Sequence, residues 1–311
     1  MLLRRFTDFI LQGRVRAVVV VLLLSFVPVL SSFSILIAAL VTLRKNIFEG
    51  ALVTVATIIP LIFQYEMMPQ DQQTSLMLGI VGITIVSNSV VWFFAYLLRR
   101  WGQWQGLLEI SLVLGVLIVV GLHGYNPAMS AWWEQTLVTY ADKALSAGAV
   151  ATSAGVNLID IKAEWGVFVK NYAPYATGFV IISVVMNVLL QLLMARWWET
   201  ALFNPGGLRK ELERIRLSRW MGVLFLAVLV LNYFNRSLAL DIIPMVCGVF
   251  AVAGLSLIHY LVNYFIKGSA ASWFWLLLIY LMLIGLFPYS LLVVAVAALM
   301  DTGLDFRKKL S

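Results

Sequence analysis

The sequence predicts an all-α polytopic membrane protein, a bundle of apolar helices crossing a lipid bilayer about ten times with both ends on the cytoplasmic side. Three observations carry that expectation. Of the 311 residues, 62% are hydrophobic and only 12% charged, whereas soluble domains run at roughly 45 to 50% and about 25%. Apolar runs recur along the whole chain, several of about 18 residues or more, enough to span a hydrocarbon core of roughly 30 Å as a helix. Lysines and arginines sit in short clusters beside those runs, as membrane orientation demands. A mean hydropathy of +0.95 excludes a soluble fold. Barrel strands would alternate apolar with polar residues, so helices must satisfy the backbone in lipid.

Taken in order, the runs cover 17–27, 31–43, 51–63, 75–98, 106–122, 175–194, 220–234, 242–266, 272–287 and 290–300. Before the first, Arg4 and Arg5 precede apolar residues without a small-residue cleavage site, so this segment is expected to be retained. The first two runs, and the last two, could each be read as one long helix. Charge decides against that reading, because it would put Arg44 and Lys45, Arg99 and Arg100, and the basic stretch 196–219 on the side opposite Arg4, Arg5, Arg14 and Arg16. Splitting each pair at Pro28 and Pro288 places all of the 22 basic residues inside except Lys143, Lys162, Lys170 and Arg236. Re-entrant hairpins give the same sidedness, so two architectures stand: ten crossings, or six plus two hairpins that dip in and return.

Residues 124–173 form an external segment with two amphipathic helices. Met129, Trp133, Leu137, Ala141 and Leu145 recur at four-residue steps in one; Leu158, Ile161, Trp165, Phe168 and Tyr172 follow helical spacing in the other. The small residues of 146–155 separate them. The helices are expected to lie on the membrane or cap the bundle, with a substrate-capturing lid as the other reading. On the cytoplasmic side, Asn204-Pro205-Gly206-Gly207 predicts a turn, followed within 204–219 by a basic amphipathic helix. Its apolar stripe is Leu208, Leu212 and Ile215; Arg209, Lys210, Arg214 and Arg216 are its candidate contacts to anionic lipid headgroups or to a cytoplasmic protein partner. Leu3, Phe6, Phe9 and Ile10 repeat the theme beside Arg4, Arg5 and Asp8.

The net charge of +7 raises a nucleic-acid partner, but the basic residues flank apolar spans and topology accounts for them. Cys247 is the single cysteine, and His123 and His259 are two distant histidines, so no disulfide framework, cofactor or local metal motif is expected. Nucleotide-binding and hydrolase signatures are also missing, and the protein is not expected to be an enzyme. The informative residues are polar groups at bilayer depth, which lipid cannot hydrogen-bond. Asn88, Asn187 and Gln191 are amides inside apolar runs, the last two four residues apart on one face; Glu109 is an acid inside a run; His259 lies with Tyr260 and Asn263. Each is expected either to glue helices together or to bind a small molecule, cation or proton. Asp301, Asp305 and Arg307, at the end of the last run, are expected to pair with neighbouring charges.

Several stretches carry a resemblance. They are Phe9-Ile10-Leu11-Gln12-Gly13-Arg14, Leu43-Arg44-Lys45, the Asn204-Pro205-Gly206-Gly207 turn with its basic residues, Gly254-Leu255-Ser256, and above all Asp301-Thr302-Gly303-Leu304-Asp305-Phe306-Arg307. Together they resemble the YybS-like family of uncharacterised bacterial polytopic membrane proteins, in its gammaproteobacterial variety. The resemblance implies a bacterial inner-membrane location and brings no activity with it. The hairpin opening bears a more distant likeness to substrate-binding subunits of energy-coupling-factor transporters. The leading functional expectation is a transporter or permease-like protein with a site near Asn88, Asn187 and Glu109; the alternative is a non-transporting scaffold or assembly factor acting through its basic loop.

Overall fold

Every one of the ten apolar runs coincides with a helix, and several of the breaks between them fall at a proline or an asparagine. The structure is a computed structural model and describes residues 2–70, 75–146, 158–266 and 269–310. Its first helices are α1 (Leu2–Gln12), α2 (Arg14–Ser25), α3 (Pro28–Arg44), α4 (Ile47–Glu66), α5 (Ser75–Trp101), α6 (Trp104–Tyr125), α7 (Met129–Ser146) and α8 (Leu158–Tyr172). A 3-10 turn at Ala173–Tyr175 leads into α9 (Ala176–Phe203), followed by α10 (Gly207–Leu212), α11 (Arg219–Phe234), α12 (Arg236–Phe265), α13 (Ser269–Gly285), α14 (Tyr289–Leu304) and α15 (Phe306–Leu310). Among the described residues all regular structure is helical. The spacer 147–157, and with it almost all of the small-residue stretch, lies outside the described residues.

Local chemistry explains the boundaries. Pro28 opens α3, where its missing N–H costs nothing, and so ends the run that α2 began. Asn46 caps α4 by accepting from the Glu49 N–H (2.8 Å), and Asn235 caps α12 by accepting from the Leu238 N–H (3.1 Å). Among the described residues, five helical stretches are long and apolar enough to cross a membrane: Ile47–Glu66, Met77–Trp101, Trp104–Tyr125, Lys162–Phe203 and Arg236–Phe265. The members of the two proline-broken pairs are shorter, with 12 residues in α2, 17 in α3, 17 in α13 and 16 in α14.

The chain divides into two units, with the boundaries inside α6, inside α9 and before Arg216. In the first unit, α2 to α5 pack on one another around Ile35, Ile37, Leu40, Val91 and Ala95, all essentially buried. At one end of this unit Arg44 pairs with Glu199 (3.4 Å) and lies over the Phe203 ring, while Arg196 bridges Glu199 and Glu211. Arg99 donates to the carbonyls of Lys45 and Thr42 at the close of α3. In the second unit α12 is the hub, packed by α11, α13, α14 and the 3-10 turn. Phe225 meets Phe250 edge-on at 4.9 Å in its core. The α12 to α14 crossing is so close that a Cβ on Gly254 would lie 2.3 Å from the Val294 carbonyl oxygen. Outward-facing residues such as Leu117, Ile118, Val223, Leu226 and Val293 are apolar and exposed. Water would penalise a surface of that kind; acyl chains do not.

One expectation is corrected. The basic amphipathic helix anticipated within 204–219 is only the six-residue α10, after which the chain turns through Glu213 and Arg214 and runs non-helical to Ser218. Ile215 and Leu217 are buried and flank the partly exposed Arg216, an extended-chain alternation that a helix cannot present. The predicted turn is present, with the Gly207 N–H bonded to the Asn204 carbonyl (3.0 Å) and Gly206 in the left-handed region.

Candidate functional site

Of the anticipated polar residues, Asn88, Glu109 and His259 are anchored locally, and Asn187 and Gln191 are not. In the first unit, the Asn88 amide on α5 donates to Thr57 Oγ1 on α4 (3.0 Å), and Thr57 in turn donates to the Thr54 carbonyl (2.7 Å). Pro60 stands inside α4 one turn further on and relieves the Ala56 carbonyl of its helical donor. Removing the amide in Asn88→Leu is expected to cost less than about 2 kcal/mol, as for most interhelical hydrogen bonds in membranes. Unfolding of the detergent-purified variant measures it, and a loss well beyond that range would mean that Asn88 does more than join α4 to α5. On α9, Asn187 is exposed, whereas Gln191 is half-buried and its side-chain oxygen is enclosed without a hydrogen-bond partner.

In the second unit, Glu109 on α6 accepts from the Ser218 N–H (2.7 Å), the residue that opens α11. A carboxylate there satisfies a helix-start N–H and meets the positive end of the helix dipole. His259 on α12 is hydrogen-bonded with the Tyr280 hydroxyl on α13 (2.8 Å), and the neighbouring Tyr260 hydroxyl donates to the Arg307 carbonyl (3.3 Å).

The residue that hydropathy missed is Asp241. The apolar run begins at residue 242, but α12 starts at Arg236 behind its Asn235 cap, which carries Asp241 well inside the helix. Asp241 is 2% exposed. Its Oδ2 lies 3.0 Å from His123 Nε2 at the end of α6, and its Oδ1 accepts from the Gly178 N–H near the start of α9 (2.8 Å). With Asp241 as a carboxylate, which can only accept, the donor in this contact is His123 Nε2. Gly178 has no room for a side chain: a Cβ would fall 1.9 Å from the Asp241 carbonyl oxygen. That contact lets the α9 backbone reach the carboxylate. Pro244, one turn on, leaves the Leu240 carbonyl without a helical donor, so α12 has an opened ladder beside this junction. Next to Gly178, the Thr177 hydroxyl accepts from the Trp133 indole N–H of α7 (2.9 Å). Asp241 therefore ties together the ends of α6, α9 and α12, with α7 fastened one residue away.

The cytoplasmic-interaction candidates divide. Arg209 pairs with Glu213 on the surface (2.9 Å), and Lys210 and Arg214 are exposed. Arg216 is committed within the protein: it pairs with Asp305 (2.8 Å) and donates to the carbonyls of Asp301 (3.1 Å) and Thr302 (3.4 Å) at the close of α14. Arg307 pairs with Asp301 (3.3 Å), whose other oxygen accepts from the Phe306 N–H. Asp305 adopts a left-handed backbone (φ 52°) that aims its carboxylate at Arg216. Partial burial pushes the Asp305 carboxyl up, but the hydrogen bond and charge of Arg216, with the Lys308 N–H, outweigh it and hold the group below its ordinary value of 3.8. A folded-state value below the unfolded one stabilises the fold above the ordinary aspartate range, and the contribution disappears as pH falls through the lowered value. Acidification from about pH 6 to about pH 3 is therefore expected to narrow the melting difference between the parent and Asp305→Asn. An identical gap at both pH values would remove this role.

Fold and site together define a class: an all-α bundle with, among the described residues, five membrane-length apolar helical stretches and an ionisable pair among helix ends, its carboxylate buried and its imidazole partly so. No family model, curated protein or solved structure matches the chain.

Proposed function

We propose that this chain is a multi-pass protein of the bacterial inner membrane, of the YybS-like kind, that moves a small molecule and handles a proton at His123 and Asp241 as it does so. The observation that carries the reading is the imidazole–carboxylate pair at the junction of α6, α9 and α12, in which Asp241 is buried and His123 partly so. Ionisable groups inside apolar bundles are costly to keep, and they mark ion and proton pathways. The enclosed oxygen of Gln191 and the Asn88–Thr57 pair supply further polarity at helix depth. Both ends of the chain lie in the cytoplasm, and the short pairs α2–α3 and α13–α14 each return the chain to the side it left. At about 1.5 Å per residue these four helices rise roughly 18 to 26 Å, so crossing fully requires a locally thinned bilayer, and dipping in and back keeps the same sidedness.

The test is reconstitution into liposomes enclosing a pH-sensitive dye, with a panel of metabolites applied outside. Solute-dependent proton flux is expected for the parent and is expected to vanish in His123→Gln and Asp241→Asn, both of which retain hydrogen-bonding side chains. If no solute moves protons or shifts the melting temperature, and a pull-down instead returns a stoichiometric soluble protein, transport is wrong and the scaffold reading replaces it. Cysteine accessibility at Lys45 and Arg209 checks the sidedness: labelling from opposite faces would overturn it.

A further inference from the structure

With Arg216 turned inward and α10 cut to six residues, the expected lipid contact of the 204–219 segment loses its helix. The same chemistry reappears, in complete form, on α1. Projected at 100° per residue, α1 has three sectors. Ile10 and Thr7 form one flank and are fully buried against the first unit, where Thr7 Oγ1 accepts from the Trp198 indole N–H (2.9 Å) and Phe6 stacks on the Trp198 ring at 6.2 Å. Leu2, Phe6 and Phe9 form the adjoining sector and are exposed, Leu2 at 84%. Arg4, Arg5, Asp8 and Gln12 fill the remaining arc, all exposed. A helix docked by one flank, apolar on a second and basic on the third has the layout of one lying in the plane of a membrane surface.

The charge balance selects the lipid. Arg14, which follows α1, is occupied by Glu49 (3.0 Å), and Asp8 is the one acid on α1. Arg16 folds back over the Phe9 ring (5.2 Å), held by Gln12 Oε1 (2.6 Å), which adds a guanidinium to the edge of the apolar sector. Arg5, next to Phe9 on the projection, and Arg16 thus border exposed apolar side chains, the arrangement in which stems pack along acyl chains and charged heads reach phosphates. We infer that α1 is an in-plane binding face for anionic phospholipid, with Leu2, Phe6 and Phe9 seated at the acyl boundary and Arg5 and Arg16 against the headgroup phosphates. This assignment is independent of transport at His123 and Asp241.

Hydrogen–deuterium exchange of residues 2–12 tests it, using the full-length protein in nanodiscs of phosphatidylcholine alone or mixed with phosphatidylglycerol. Phosphatidylglycerol is expected to slow exchange in this segment, and each arginine changed to glutamine at positions 5 and 16 is expected to reduce that protection by roughly fivefold. Exchange in α12 serves as an internal control for folding and is expected to stay constant. Phe6→Ser with Phe9→Ser is expected to speed exchange of the segment in both lipids. Equal exchange of residues 2–12 in the two lipids overturns the inference. So does full phosphatidylglycerol protection in the variant with both arginines changed, or protection reproduced by inorganic phosphate added to phosphatidylcholine discs.

Discussion

Asp241→Ala is expected to destabilise the protein by about 3 to 5 kcal/mol, because the truncation strands two buried groups at once. The His123 ring, 9% exposed at its side chain, loses the acceptor for its Nε2 proton, and the Gly178 N–H loses the oxygen that serves it at 2.8 Å. Water is poorly placed to replace either partner in a junction whose carboxylate is 2% exposed. Asp241→Asn keeps an acceptor for Gly178 and is expected to lose markedly less. Unfolding in mild detergent, followed by tryptophan fluorescence, separates the two variants. Equal melting of the alanine variant and the parent would mean that the pair does not hold these helix ends together.

Gly254→Ala is the second large effect, expected at about 3 kcal/mol or more, at the upper end of what over-packing costs. The added Cβ would stand 2.3 Å from the Val294 carbonyl oxygen and 2.5 Å from its Cγ1. A side chain could rotate away, but the Val294 backbone cannot, so α14 must withdraw from α12 along their principal contact. The partner variant Val294→Ala removes only the Cγ1 clash and is expected to rescue little. Full rescue by that variant would show that the backbone contact is softer than the geometry implies.

Much of this architecture is legible in the sequence because lipid imposes a coarse code. Ten apolar runs are ten helices, and Pro28 opens α3 where a hairpin was required. What the code omits is how far helices continue once they leave hydrocarbon. The run ending at residue 194 continues in α9 to Phe203, because Arg196 and Glu199 find ionic partners there that hydropathy cannot count. The same blindness hid Asp241: a scale that penalises charge starts the run after it, although Asn235 announces the helix start six residues earlier. The spacing of Leu208, Leu212 and Ile215 imitates a helical stripe, and the burial of Leu217 beside Ile215 reveals the extended chain instead. Asn88 was legible as a polar group needing a partner, but Thr57 could not be named without the fold, since hydrogen-bond partners on separate helices leave no periodic trace.

Three acids of the second unit share a habit with a physical consequence. Glu109 accepts from the Ser218 N–H, Asp241 from Gly178 and Asp301 from Phe306, so each faces peptide dipoles where a helix begins. Such attraction acts between groups fixed within one hydrogen-bond length, far inside the roughly 10 Å over which dissolved ions at 0.1 M flatten a field. Raising sodium chloride should therefore leave these joints nearly untouched, while loosening exposed pairs such as Lys162 with Asp142.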